Sequence, residues 1–158
     1  MKTGIVVEPL ALHPWAIETL SMWFEAEWPA YYASGGQRAL RDLQSYAQLD
    51  SLPAGVVALM DGKVCGVAAL KRESIASHAH LSPWASAGLV DPAMRGQGIG
   101  ALLLAGLENQ ARVLGFERIY CGTSTSTSLL LRCGWQLHEE IIHEGERLGV
   151  FVKPLSPP

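Results

Sequence analysis

The sequence predicts an α+β fold in which helices flank one mixed sheet, and three features carry that prediction. Two apolar runs, residues 55–60 and 63–70, flank Asp61-Gly62, a dipeptide that favours a type I′ turn and joins them as a hairpin. Ile99, Leu102, Leu103, Leu107, Ala111 and Leu114 recur at three- and four-residue steps, with Glu108, Asn109 and Arg112 on another face, which describes a long amphipathic helix. That helix lies between apolar segments at 85–90 and 118–122, and a strand-helix-strand unit of this kind sets its strands parallel. Hairpin and crossover together require a mixed sheet.

The remaining elements follow in order. Residues 4–10 form a first strand through Ile5-Val6-Val7, stopped near Pro9. Pro14 suits the first turn of a helix, where its missing N–H would lack a partner anyway. Trp15, Ile17, Leu20, Phe24 and Ala26 continue that helix to a break at Pro29, and a second short helix is expected over 37–49, ending before Pro53. After the hairpin, residues 72–83 form a polar loop carrying His78 and His80. In the strand at 85–90, Gly88 is a bulge position because it has no Cβ to clash. Gly115 stops the long helix. A strand at 118–122 leads to a short helix ending at Cys133 and capped by Ser124 or Ser126. Gly134-Trp135 turns into a strand near 136–138, and a last strand at 146–153 ends at Pro154. The order is strand, two helices, three strands, helix, strand, helix, two strands: one domain over 1–154, then a frayed tail at 155–158.

Composition narrows the function classes. A chain of 158 residues buries a core without disulfides or metal, and 49% hydrophobic against 17% charged residues excludes a disordered chain. The net charge of -3, with no Lys/Arg cluster, makes neither nucleic acid nor a membrane surface an expected partner. Cys65, Cys121 and Cys133 are odd in number, lack a CxxC pair and sit among apolar neighbours, so they read as buried reduced thiols. No convergent Cys/His spacing suits a metal. No long apolar region follows Lys2, and no run approaches the ~20 apolar residues of a membrane span, so the expectation is a cytoplasmic protein.

The segment that carries chemistry is Gly88-Leu89-Val90-Asp91-Pro92-Ala93-Met94-Arg95-Gly96-Gln97-Gly98-Ile99-Gly100-Ala101: a strand, a glycine-dense loop, then the long helix. A helix N-terminus leaves backbone N–H groups without intrahelical partners and carries partial positive charge. Three alternate glycines let a diphosphate meet the main chain without a Cβ in the way, and Arg95 adds a cation at the entrance. A Walker loop would need Gly-Lys and then Ser or Thr, but Gly100 is followed by Ala101. The dinucleotide-binding pattern matches formally through Gly96, Gly98 and Ala101, yet it wants an acidic residue ending the next strand, where Thr123 stands. Both are set aside.

Arg95-Gly96-Gln97-Gly98-Ile99-Gly100 resembles the Q/R-x-x-G-x-G/A signature of the GNAT N-acetyltransferase superfamily at every defined position. The likeness runs from about Leu59 to Trp135 in element order, and Leu81-Ser82-Pro83-Trp84 resembles bacterial members with this entry to the fourth strand. The resemblance implies a twisted mixed sheet, acetyl-CoA as cosubstrate without a metal, and direct transfer of acetyl to a primary amine in a ternary complex. It implies a V-shaped opening between strands 85–90 and 118–123, with the pantetheine arm beside Leu89 and Val90. The diphosphate would lie over Arg95, Gly96, Gln97, Gly98, Ile99, Gly100 and Ala101, with Ser126 nearby. The N–H of Leu89 or Val90 would polarise the thioester carbonyl. Acceptors implied are small molecules or peptides, and since family members often dimerise, a homodimer is an open option.

Two departures from the family stand out. The Tyr that many members place four residues before the Gly-aromatic pair is Leu130 here, a position expected to border the thioester and to tolerate Tyr. The strand at 85–90 also lacks the usual carboxylate. Glu73, His78 and His80 on the preceding loop are candidate bases, His having a suitable ordinary pKa. Without acid or base, the enzyme reading has a rival, a silent acyl-CoA-binding sensor with the same fold. Trp28, Tyr31 and Trp84 are candidate acceptor-wall residues, with Trp23 and Tyr32 beside them, and Glu25 and Glu27 are candidate attractors of a cationic amine.

Overall fold

The computed structural model describes residues 4–33 and 38–156. Strand β1 (Ile5–Pro9) leads through two 3₁₀ turns, the second opened by Pro14, into α1 (Ile17–Glu27). The expected break at Pro29 is a restart: Trp28, disfavoured from helical geometry by the following proline, adopts φ -125 and ψ 61, and α2 (Pro29–Tyr32) begins with Pro29 in its first turn. α3 (Arg38–Ser45) is shorter than expected, and Gln37 lies outside the described residues. The hairpin of β2 (Ala54–Met60) and β3 (Lys63–Lys71) turns at Asp61 (φ 51) and Gly62 (φ 80), the left-handed pair a type I′ turn requires. β4 (Trp84–Val90), α4 (Ile99–Val113), β5 (Arg118–Thr123), α5 (Thr127–Arg132), β6 (Gln136–His143) and β7 (Glu146–Pro154) complete the chain. Leu155, counted above with the tail, donates its N–H to the Glu117 carbonyl at 2.9 Å.

The seven strands form one mixed sheet in the order β1-β2-β3-β4-β5-β7-β6, antiparallel throughout except where β4 meets β5. The α4 face buries Val56, Ala68, Ala85, Ile119 and Phe151 beneath Leu103, Leu107 and Ala111. The opposite face carries two separate clusters. Leu20, Phe24 and Leu43 from α1 and α3 cover Val57, Val67 and Leu89, whereas Ile75, from the loop before β4, covers Trp84, Tyr120 and Val150. The space between those clusters is where the sheet opens.

Close packing fixes α4. A Cβ at Gly66 of β3 would come within 3.1 Å of Leu103 and 3.2 Å of Ile99, and one at Gly106 within 2.6 Å of Val7. At the helix's far end the buried Glu108 carboxylate meets Lys153 Nζ at 3.0 Å, and the same ammonium donates to the Cys133 carbonyl at 2.8 Å, tying α4 to β7 and to the end of α5. Among the described residues no helix is long and apolar enough to cross a membrane.

Gly106→Val should therefore destabilise the fold by about 1–3 kcal/mol through overpacking against Val7. Urea unfolding measures this, and an unchanged midpoint would refute so close a seat for α4.

Candidate functional site

β4 and β5 are neighbours through a single register pair, Trp84 with Tyr120, supported by the Tyr120 N–H donating to the Pro83 carbonyl at 2.9 Å. Beyond it the strands part. The cleft between them has a volume of about 720 Å³ and runs from α4 and α5, where Leu104, Leu107, Leu129 and Leu130 wall it, to the opposite face at Ser74, Ser86 and Glu27.

A bulge in β4 shapes one wall. The register with β3 shifts between Val67 and Ala69, so Ala87 and Gly88 together oppose one residue. Gly88 was the expected bulge residue, but Ala87 takes the left-handed conformation (φ 55). In a regular strand Ala85 and Leu89 would share a face; here Ala85 packs on the α4 side and Leu89 on the other.

The same pairing decides which amide faces the cleft. The Asp91 N–H donates to the Cys65 carbonyl at 2.9 Å, which makes Cys65 and Asp91 a hydrogen-bonded pair. Alternation along an antiparallel ladder then turns the backbone of Leu89 toward its partner Val67 and that of Val90 away from β3. The Val90 carbonyl accepts from Arg95 Nε at 3.3 Å on that side. Of the two amides weighed for polarising a carbonyl, that of Val90 points toward the cleft and that of Leu89 toward β3.

At the mouth, the Asp91 carboxylate accepts from the Ala93 N–H at 3.0 Å and caps a 3₁₀ turn, Pro92–Met94. Gly96 (φ 83) and Gly98 (φ 82) are left-handed, and a Cβ at either would meet no protein atom within 4 Å. Their requirement in the protein itself is conformational, and the space beyond them is open. The Leu102 N–H reaches the Gly98 carbonyl at 3.2 Å, so the amides of Ile99, Gly100 and Ala101 precede the first intrahelical bond and have no intrahelical acceptor. The Ile99 side chain is buried, so only its amide serves a ligand. Gln97 leans on Met94, its side-chain nitrogen 3.8 Å from the sulfur.

Residues 20–135 match the family model described as Acetyltransferase (GNAT) family. The chain belongs to that family. None of the curated proteins compared matches it. Among solved structures it is similar to an aminoglycoside 6'-N-acetyltransferase complexed with coenzyme A, at 13% identity and a TM-score of 0.78, covering 97% of this chain and 98% of that one. It is similar to Ard1 from Thermoplasma volcanium at 14% identity and a TM-score of 0.72, covering 98% and 99%. N-acetylglutamate synthase from Neisseria gonorrhoeae, complexed with coenzyme A and N-acetyl-glutamate, aligns at 19% identity and a TM-score of 0.66 over 99% of this chain and 36% of that one. At these identities the likeness is one of fold.

Of the residues expected at the cofactor, Leu89, Val90, Arg95, Gly100 and Ser126 line this cleft, whereas Gly96, Gln97, Gly98, Ile99 and Ala101 are not among its lining residues. Ser126 and Ser124 do not cap α5 through their side chains. Thr123 does the work at the end of β5, its Oγ1 accepting from the N–H groups of Thr125 at 3.1 Å and Ser126 at 2.8 Å. A Thr ending a strand before a Ser/Thr run was the readable signal for it. Ser74 and Ser86 also face the cleft and carried no signal beyond their place near the fourth strand.

The other candidates stand elsewhere. Glu73 and His80 are exposed outside the cleft lining, and His80 stacks on His78, which bonds Glu139 at 3.0 Å. Trp84 is fully buried against Tyr120, its Nε1–H donating to the Leu81 carbonyl at 2.7 Å, so it is core and not acceptor wall. Trp28 packs edge-on against Phe24, and Tyr31 lies exposed under the Arg38 guanidinium, 4.7 Å from its ring centroid; neither lines the cleft. Glu25 is exposed and also outside the lining.

Glu27 does line it. Its carboxylate lies 3.7 Å from Arg95 Nη2, with both side chains about half exposed, an arrangement worth about 0–1 kcal/mol and easily exchanged. Cys121 faces the cleft from β5, and burial pushes its thiol up to about 12, so it stays neutral near pH 8 and lacks the thiolate a nucleophile needs. Among the described residues no cluster of His, Cys, Asp and Glu could hold a metal ion.

Leu130 combines two roles, bordering the cleft while only 1% exposed within the α4-side core. It is therefore not a free position for Tyr. Leu130→Ala should lower stability by about 2–5 kcal/mol, read in thermal or urea unfolding. A change within error would place this side chain outside the core.

Proposed function

We propose that the protein transfers acetyl from acetyl-CoA to a primary amine in a ternary complex. One observation carries the reading: amides without intrahelical acceptors and two left-handed glycines with open space beyond them lie at the loop that contributes Arg95 and Gly100 to a cleft whose wall presents the Val90 backbone. The diphosphate of coenzyme A suits the loop, because anions are favoured where a helix begins. The pantetheine arm, an extended amide chain, suits the unpaired edge of β4 as an added strand. Two of the similar structures above contain coenzyme A, which agrees.

In the proposed reaction the neutral amine nitrogen attacks the thioester carbonyl carbon, and the Val90 N–H steadies the developing oxyanion. The C–S bond then breaks, the nitrogen loses its proton to water, and the coenzyme A sulfur leaves as a thiolate. A thiol with an ordinary pKa of about 8.5 is a tolerable leaving group near neutral pH, so the leucine at 130 does not forbid turnover. A covalent route through Cys121 is disfavoured by its neutral thiol. The proposed acceptor class extends over small metabolites, antibiotic-like amines and peptide or lysine amines, and the proposed location is the cytoplasm.

A second reading, an acyl-CoA sensor without turnover, is favoured by Leu130 and by the absence of a carboxylate on β4. Release of free thiol from acetyl-CoA across an amine panel separates the two: acceleration by an amine supports the enzyme, whereas calorimetric binding with no turnover supports the sensor. Gly98→Val should weaken coenzyme A binding under either reading, and unchanged affinity would count against both.

A further inference from the structure

We infer that Glu27 recognises a second cationic group on the amine acceptor, and that coenzyme A frees it for that role by drawing Arg95 onto the diphosphate. The inference rests on the acetyl-transfer reading and names the acceptor class. Two charged residues, Glu27 and Arg95, line a cleft otherwise walled by neutral side chains. They pair with each other at 3.7 Å. Glu27 ends α1, on the sheet face opposite α4, whereas Arg95 begins the glycine loop.

A diphosphate carries more negative charge than one carboxylate and lies among the amides of residues 99–101, so it outcompetes Glu27 for the guanidinium. The exchange leaves a carboxylate in the cleft without its cation. A cation on the acceptor takes the place of the guanidinium there. It is not the reacting nitrogen, which has to be uncharged to attack, because a carboxylate beside that nitrogen would hold its proton on. A second ammonium on the same molecule satisfies both demands. Cofactor and dicationic acceptor should therefore bind cooperatively, with Glu27 as the coupling group.

Calorimetry on the full chain tests this with 1,4-diaminobutane and butylamine, each with and without saturating coenzyme A, in wild type and Glu27→Gln. With coenzyme A bound, wild type should prefer the diamine by about tenfold, the scale of one hydrogen-bonded charge contact. The preference should shrink without coenzyme A and vanish in the variant, whose own affinity for coenzyme A should be no weaker than wild type. A diamine preference that survives Glu27→Gln, one independent of coenzyme A, or no diamine binding at all overturns the inference and leaves acetyl transfer standing. No heat with coenzyme A in wild type sinks the acetyl-transfer reading instead.

Discussion

The parting of β4 from β5 after one paired position is the constraint on which the rest of this molecule depends. A continuous parallel ladder would leave no cleft and would consume the backbone groups of Val90. Because β4 bulges at Ala87 and Gly88 and the strands separate, the Val90 N–H is left facing the cleft, while its carbonyl accepts from Arg95 Nε. Unpartnered main-chain groups away from bulk water are costly, so such a gap suits water or a ligand able to act as a strand. The extended amides of pantetheine have that character.

An open seam in a sheet must be bridged elsewhere, and α4 does this. Its leucines span the seam, its glycine contacts bring it down onto β1 and β3, and the Glu108–Lys153 pair secures its far end. A buried ion pair is weak evidence for net stability, but losing one partner is severe, so the pair holds the helix in one register. The consequence is local and chemical. With the far end fixed, the start of the helix, with its unpaired amides, is held at the cleft mouth.

The glycine loop was legible because its geometry is written in residue identity. Left-handed backbone at 96 and 98 calls for glycine, and the helix after it announces itself by spacing. The bulge was half legible: Gly88 marked its place, but the left-handed residue is Ala87, and alanine gives no sign of positive φ. Strand β6 runs to His143, well past the expected 136–138, because an edge strand this exposed carries no alternating buried positions to reveal its length. The acceptor side was the least legible. Tryptophan and tyrosine read as wall or core equally well from sequence, and burial alone assigns Trp84 to the core. Glu73 and His80 had suitable chemistry, but the loop turns Ser74 inward instead.

The missing tyrosine can be reconsidered in the same terms. Leu130 removes a proton donor, but it also keeps apolar surface at the part of the cleft enclosed by Leu104, Leu107 and Leu129. Electrostatic interactions strengthen as water is excluded, so the Val90 N–H and the loop amides gain influence over a charge developing there. A hydroxyl at 130 would add one proton and admit polarity into that enclosure. In the proposed reaction the site would rely on fixed backbone dipoles more than on titrating side chains. The two charges that remain in its wall, Arg95 at the glycine loop and Glu27 at the end of α1, lie 3.7 Å apart.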